Sequence, residues 1–287
     1  MSSRGGRSRG LLLVALASTL WSTIGVAARG GYAAGCSPLG LLLLRHLSSL
    51  AAALAGVLAG VYSLRGSLLN PGAARIALAV MTPFYVSYAY ATYYLGVARS
   101  AALLYTAPAW AALLQRIRGL ALTRGDAASA LLVASGAALL AAGEGGRELS
   151  VTGLLWGLAS GFTYALSIIA AHSVLEASRP LDLAAGVQSW LLAGVAVLAL
   201  LDPPRVSTGC LPWAAYLGVV IGHVSYALFY QGLEGVSPAA ASSMAALELL
   251  LSIAWGVLLY GEPLTPWLAA GGGLIALGLL LAAALTR

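Results

Sequence analysis

The chain has 287 residues, of which 60% are hydrophobic and only 8% charged. Soluble domains carry about 25% charged residues, so a water-soluble globule is excluded and a bilayer must act as the solvent for the apolar faces. The net charge of +6 rests on 15 arginines and no lysine, placed at the ends of apolar runs rather than in one stripe, which argues against a nucleic-acid partner.

Apolar runs of about 17–25 residues read as spanning helices. In chain order they fall near 11–29, 38–62, 76–98, 100–115, 127–143, 151–171, 183–201, 211–231, 238–260 and 266–285. The first follows Arg4, Arg7 and Arg9 and has the outline of a signal peptide. It also has a partner later in the chain, at 151–171, and is therefore read as a spanning helix. The third and fourth runs are joined almost without a loop. Apolar and polar residues do not alternate, so barrel strands are not expected. Short loops leave no room for a separate soluble domain.

The chain repeats itself at an offset of 142 residues. Leu16-Ala17-Ser18 returns as Leu158-Ala159-Ser160, Pro38-Leu39 as Pro180-Leu181, and Gly119 with Leu122-Thr123 as Gly261 with Leu264-Thr265. The expected units are residues 1–145 and 146–287, each with five spans. Five is odd, so the second unit enters the bilayer from the opposite side, the pattern of inverted-repeat transporters. With the N-terminus inside, ten arginines lie on the cytoplasmic side and four outside, which predicts both termini in the cytoplasm. Cys36 and Cys210 then both fall in outer loops. A bridge between them is possible, but two loop cysteines are more often unpaired, and geometry decides.

Ala91-Thr92-Tyr93-Tyr94 through Ala101-Ala102-Leu103-Leu104 to Pro108 resembles the third-to-fourth-helix pattern of EamA-type members of the drug/metabolite transporter superfamily. The second copy runs from Gly232-Leu233-Glu234-Gly235-Val236-Ser237-Pro238 to Leu247-Glu248, then Gly261-Glu262-Pro263-Leu264-Thr265 and a Gly-rich last helix. Leu20-Trp21-Ser22 also fits. The chain departs from the family at Leu120-Ala121, where a Glu usually precedes Leu-Thr, and at Leu249, where a Pro usually follows Glu248. The resemblance implies an all-α membrane protein of ten helices in two inverted five-helix units, a central cavity, and export or uptake of small metabolites, often amino acids.

A charge inside a span costs about 2.5–3.5 kcal/mol, so it faces a cavity or a partner. Glu248 lies about 15 Å into the ninth span and Arg45 about 10 Å into the second, at 1.5 Å per residue. In the functional reading Glu248 couples protons or holds a substrate amine, and Arg45 holds a substrate carboxylate. In the structural reading the two pair with each other, or Arg45 reaches outward and Glu248 is buried protonated. His223 shares a helical face with Tyr226 and Tyr230 at i, i+3 and i+7, which resembles the wall of a wet pocket. Trp21, Ser22, Tyr85, Tyr88, Tyr105 and Tyr164 complete the expected substrate-binding set, a cavity suited to an apolar body with polar handles.

Phosphate loops, metal-ligand spacings and a nucleophile with a base are all missing from the sequence, so no enzyme activity, cofactor or metal is expected. The leading expectation is a secondary, non-ATP transporter of amino acids or similar amphipathic compounds, with its half-repeats rocking against each other by alternating access. The other is a flippase or carrier for a lipid or polyprenyl head group. The expected partners are a small-molecule substrate and the lipid bilayer, and the expected assembly is a monomer or homodimer. The expected location is the plasma membrane of a prokaryote, from the Ala/Gly/Leu/Arg-rich composition.

Overall fold

The structure is a computed structural model that describes residues 4–95, 97–143, 150–201, 203–260 and 265–284. The described residues are helical with no strand. The first half holds α1 (Arg4–Trp21), α2 (Ile24–Ala33), α3 (Pro38–Leu58), α4 (Pro71–Arg75), a π-helix (Ile76–Met81), α5 (Thr82–Leu95), α6 (Val97–Leu104), α7 (Ala107–Ile117) and α8 (Arg124–Gly143). The second half holds α9 (Val151–Leu175), α10 (Pro180–Leu201), a 3₁₀ turn (Thr208–Cys210), α11 (Leu211–Ala215), a π-helix (Tyr216–Ser225), α12 (Tyr226–Leu233), α13 (Pro238–Ala245), α14 (Leu247–Tyr260) and α15 (Pro266–Ala284).

Local chemistry sets the helix starts. Ser37, Ser150 and Ser237 accept hydrogen bonds from the backbone N–H of Gly40, Gly153 and Ala240, satisfying donors that a helix N-terminus otherwise leaves free. Ser37-Pro38 and Ser237-Pro238 add a proline at the first helical position, where its missing N–H costs nothing.

Six helical runs among the described residues are long and apolar enough to cross a membrane: Gly6–Ala33, Leu39–Leu58, Val151–Leu175, Pro180–Leu200, Thr208–Leu233 and Pro238–Leu259. The helices put leucines outside and polar groups inside. Leu58, Leu200 and Leu258 are exposed, while Arg45, His46, Gln188 and His223 are buried. That distribution suits an apolar solvent, in which polar side chains must find partners within the bundle.

The packing interleaves helices of the two sequence halves. Helix α1 packs on α12, α13 and α14, whereas α9 packs on α5, α6 and α7. Helix α3 joins the first group through α11 and the 216–225 segment; α10 lies between the groups, packing on α3, α12 and the 216–225 segment of the first and on α4 and the 76–81 segment of the second. Each group therefore draws helices from both halves. The groups also meet where α7 crosses α13, with the α8–α15 pair alongside. Where α1 meets α12 the backbones nearly touch: a Cβ on Gly232 would lie 2.7 Å from the Gly10 carbonyl oxygen, and the reverse distance is also 2.7 Å. A side chain at either position would force the helices apart.

The two ends of the bundle differ chemically. At one end Cys36 and Cys210 form a disulfide, with Cα atoms 6.2 Å apart, contrary to the expectation of free loop cysteines. The adjoining loops are held in register, because Ser37 N–H donates to the Arg205 carbonyl at 2.9 Å and Arg205 N–H donates to Ser37 Oγ at 3.0 Å. At the other end buried Asp126 accepts from Arg7 Nη2 at 2.8 Å and Ser237 Oγ at 3.0 Å, and buried Asp182 accepts from Ser63 N–H at 2.9 Å.

Candidate functional site

Two helix breaks meet at the centre. Helix α6 stops at Leu104 and α7 restarts at Ala107; α13 stops at Ala245 and α14 restarts at Leu247. Shifted by the repeat offset, the breaks adjoin: Tyr105 and Thr106 correspond to Leu247 and Glu248, which open α14. Across them the Tyr105 hydroxyl donates to the Glu248 carboxylate. Residues at nearly equivalent positions of two related units can meet only near the axis relating them. A second such meeting lies between α3 and α10, where His46 Nδ1 donates to the Gln188 carbonyl at 3.1 Å and the two residues are 142 apart. The axis thus passes between Tyr105 and Glu248 and between His46 and Gln188.

Aromatic rings fill the space around Glu248, which is half-buried in the first turn of α14. Tyr88, Tyr105, Tyr164 and Arg45 all lie within electrostatic range of its carboxylate. Tyr164 packs on Phe84 with ring centroids 5.4 Å apart, and Phe84 packs on Tyr85 and Tyr88. On the opposite side Trp21 packs on Tyr226 and Phe229, each at 5.1 Å, and Tyr226 meets Tyr230 at 5.9 Å. Ser22 sits at the break between α1 and α2 and accepts from Trp255 Nε1 at 3.0 Å.

Arg45 takes neither structural route expected from the sequence. It is buried, so it does not reach outward, and no ion pair joins it to Glu248. Its guanidinium lies 5.9 Å from the centroid of the Tyr85 ring, a cation–π arrangement, and its Nε has no hydrogen-bond partner.

His223 is not brought onto the same wall as Tyr226 and Tyr230. Its Nε2 meets the Ser49 carbonyl at 2.9 Å and its Nδ1 meets the Tyr62 hydroxyl at 3.1 Å, so both ring nitrogens are occupied by the α3 side of the bundle. The face count assumed an α-helix. Residues 216–225 form a π-helix, whose wider turn rotates His223 away from the line of the two tyrosines that follow. The matching π segment at 76–81 precedes Tyr85 in the other half. Tyr62, His46 and Gln188 also stand in this polar centre. Tyr62 carries no sequence signal, whereas His46 and Gln188 are marked by being polar at equivalent positions of both repeats.

Tyr90 and Tyr94 face outward. The side chains of Thr92 and Arg99, the Glu262 motif and Arg147 lie outside the described residues. A cavity of about 300 Å³ near the disulfide, lined by Thr23, Val26, Ala27, Pro212, Trp213 and Tyr216, holds no charged group and is separate from the Glu248 cluster. No group of three potential metal-ligating side chains occurs among the described residues.

A solved crystal structure superposes with a TM-score of 0.80 at 22% identity, covering 98% of each chain, which establishes the shared fold. The uncharacterized transporter YwfM of Bacillus subtilis (strain 168) is 27% identical over 161 residues, 55% of this chain and 54% of that one. The chain thus spans about half the length of the curated relative it matches. The profile of the EamA-like transporter family matches residues 8–142 and matches again over 151–284. Two matches in tandem over nearly the whole length, on a helical bundle with an apolar exterior and a polar centre, show that this chain belongs to the EamA-like transporter family.

Proposed function

We propose that this member of the EamA-like transporter family is a multi-pass membrane transporter that moves a small zwitterion, an amino acid or a close relative, without ATP and by alternating access. In this reading it crosses the plasma membrane ten times with both termini in the cytoplasm. The disulfide supports the orientation, since it belongs in an oxidising compartment and so puts the Cys36 end outside and the Arg7–Asp126 end inside.

One observation carries the substrate class. Arg45 and Glu248 bring opposite charges into the same central cluster and do not pair. Unpaired charge in a low-dielectric interior is costly, and a zwitterion supplies both missing partners, its carboxylate to Arg45 and its ammonium to Glu248. Trp21, Tyr85, Tyr88, Tyr164 and Tyr226 offer ring faces to its apolar body, and Ser22 stands at the nearby helix break. The Tyr105–Glu248 and His46–Gln188 contacts each join the two repeats, so a substrate there is touched by both.

A ligand that binds only the folded state raises its melting temperature, by about 2.7 kcal/mol of stability at a hundred times Kd. Purified protein screened against amino acids is expected to melt higher with one or more of them, and not with the matching uncharged alcohols. Equal melting with and without every zwitterion tried contradicts the reading.

A further inference from the structure

Close to the axis, three side chains carry buried polar atoms with no partner: Arg45 Nε, His46 Nε2, and both Nε2 and Oε1 of Gln188. Arg45 is 6% exposed and the other two 0%. Unpaired polar atoms are rare in protein interiors because burying them without a hydrogen bond costs free energy, so four of them on linked residues call for partners that the described side chains do not supply. The three residues are linked. Arg45 and His46 are neighbours on α3, both lie beside the Tyr85 ring, and His46 Nδ1 bonds the Gln188 carbonyl on α10.

The chemistry of the four atoms selects the ligand. Arg45 Nε and Gln188 Nε2 can only donate. A carbonyl can only accept, so His46 Nδ1 carries the proton and the Nε2 of the neutral ring accepts. Gln188 Oε1 also accepts. A partner must therefore accept twice and donate twice; a water molecule does so but brings no counter-charge to the buried Arg45 guanidinium. A simple carboxylate satisfies the donors and leaves both acceptors empty, and a simple amine does the reverse. We infer that Arg45, His46 and Gln188 form a cradle for an α-amino-carboxylate head group, with carboxylate oxygens accepting from Arg45 and Gln188 Nε2 and ammonium hydrogens donated to His46 Nε2 and Gln188 Oε1. The third ammonium hydrogen is left for Glu248. The inference rests on the zwitterion reading above and deepens it: the head group is read by hydrogen bonds from both repeats, at equivalent positions on α3 and α10.

Binding of leucine, leucinamide (no carboxylate) and 4-methylvalerate (no amine) to the purified full chain tests this. Wild-type protein is expected to prefer leucine to either analogue by about tenfold or more, the effect of one hydrogen bond to a charged group. Gln188→Glu places a negative charge against the carboxylate at nearly unchanged size, and the order of leucine and leucinamide is expected to reverse. His46→Leu, an independent variant, is expected to weaken leucine and leucinamide about equally and to leave 4-methylvalerate unchanged. Leucine binding without preference over either analogue overturns the cradle together with the zwitterion reading on which it rests. An unchanged order in Gln188→Glu, or equal loss of all three ligands in His46→Leu, overturns the cradle alone. Binding of none of the three by folded wild-type protein overturns both.

Discussion

Glu248→Gln is expected to weaken the protein's affinity for an amine-bearing substrate by about 10- to 150-fold, the span of a hydrogen bond to a charged group, about 1.5–3 kcal/mol. Gln has the same length, and its side-chain oxygen still accepts from the Tyr105 hydroxyl, so the junction between the two helix breaks stays intact. Only the charge is removed. Tyr105→Phe makes the complementary change: the carboxylate remains and loses one neutral donor, for which a smaller loss of about 2- to 13-fold is expected. The ordering of the two variants separates charge recognition from packing. A Gln variant that binds as tightly as wild type removes Glu248 from the substrate site. So does one that loses affinity equally for analogues without an amine. The readout is Kd beside the melting temperature, which is expected to change little in either variant.

The second large effect concerns stability rather than binding. Replacing both Cys36 and Cys210 with Ser is expected to cost about 2–5 kcal/mol and to lower the melting temperature, because the bridge ties residues 174 apart in sequence and restricts the unfolded chain. Transport, by contrast, is expected to continue at a rate within about twofold at a temperature where both proteins are folded. Cys36 leads into α3 and Cys210 into α11, and these helices pack on each other within one packing group. The bridge therefore fastens loops that lead into helices packed on each other. If the double variant instead gains transport severalfold, the loops belong to parts that separate during the cycle, and the two-group description is wrong.

Much of the frame was readable from hydropathy and repetition. Apolar runs of bilayer length and a constant offset between two halves foretold an all-helical membrane bundle and its internal repeat. Three features were not readable, each for a physical reason. A repeat states which segments are alike but not which segments touch, so the exchange of partners between α1 and α9 left no trace in the sequence. A π-helix has no periodicity of its own in a uniformly apolar stretch, and His223 was therefore assigned to the wrong face. The break before Glu248 occurs at Ala246 without a proline, whereas Pro108 stands just inside the corresponding restart of α7. Glu248 and Arg45 stood out because charge is expensive in a span. His46 and Gln188 are marked in the sequence by their equivalent positions, and folding brings the His46 ring to the Gln188 carbonyl.

The central claim is that folded protein moves a zwitterion through a site shared by Arg45 and Glu248. Counterflow in proteoliposomes tests it most directly: vesicles loaded with unlabelled amino acid, diluted into a trace of the labelled compound, with no ATP and no imposed gradient of any other ion. Accumulation of label in vesicles holding wild-type protein, lost when either Arg45→Gln or Glu248→Gln protein replaces it, is the predicted result. No accumulation of any amino acid by protein of verified fold, or accumulation that persists undiminished in both variants, would contradict the account.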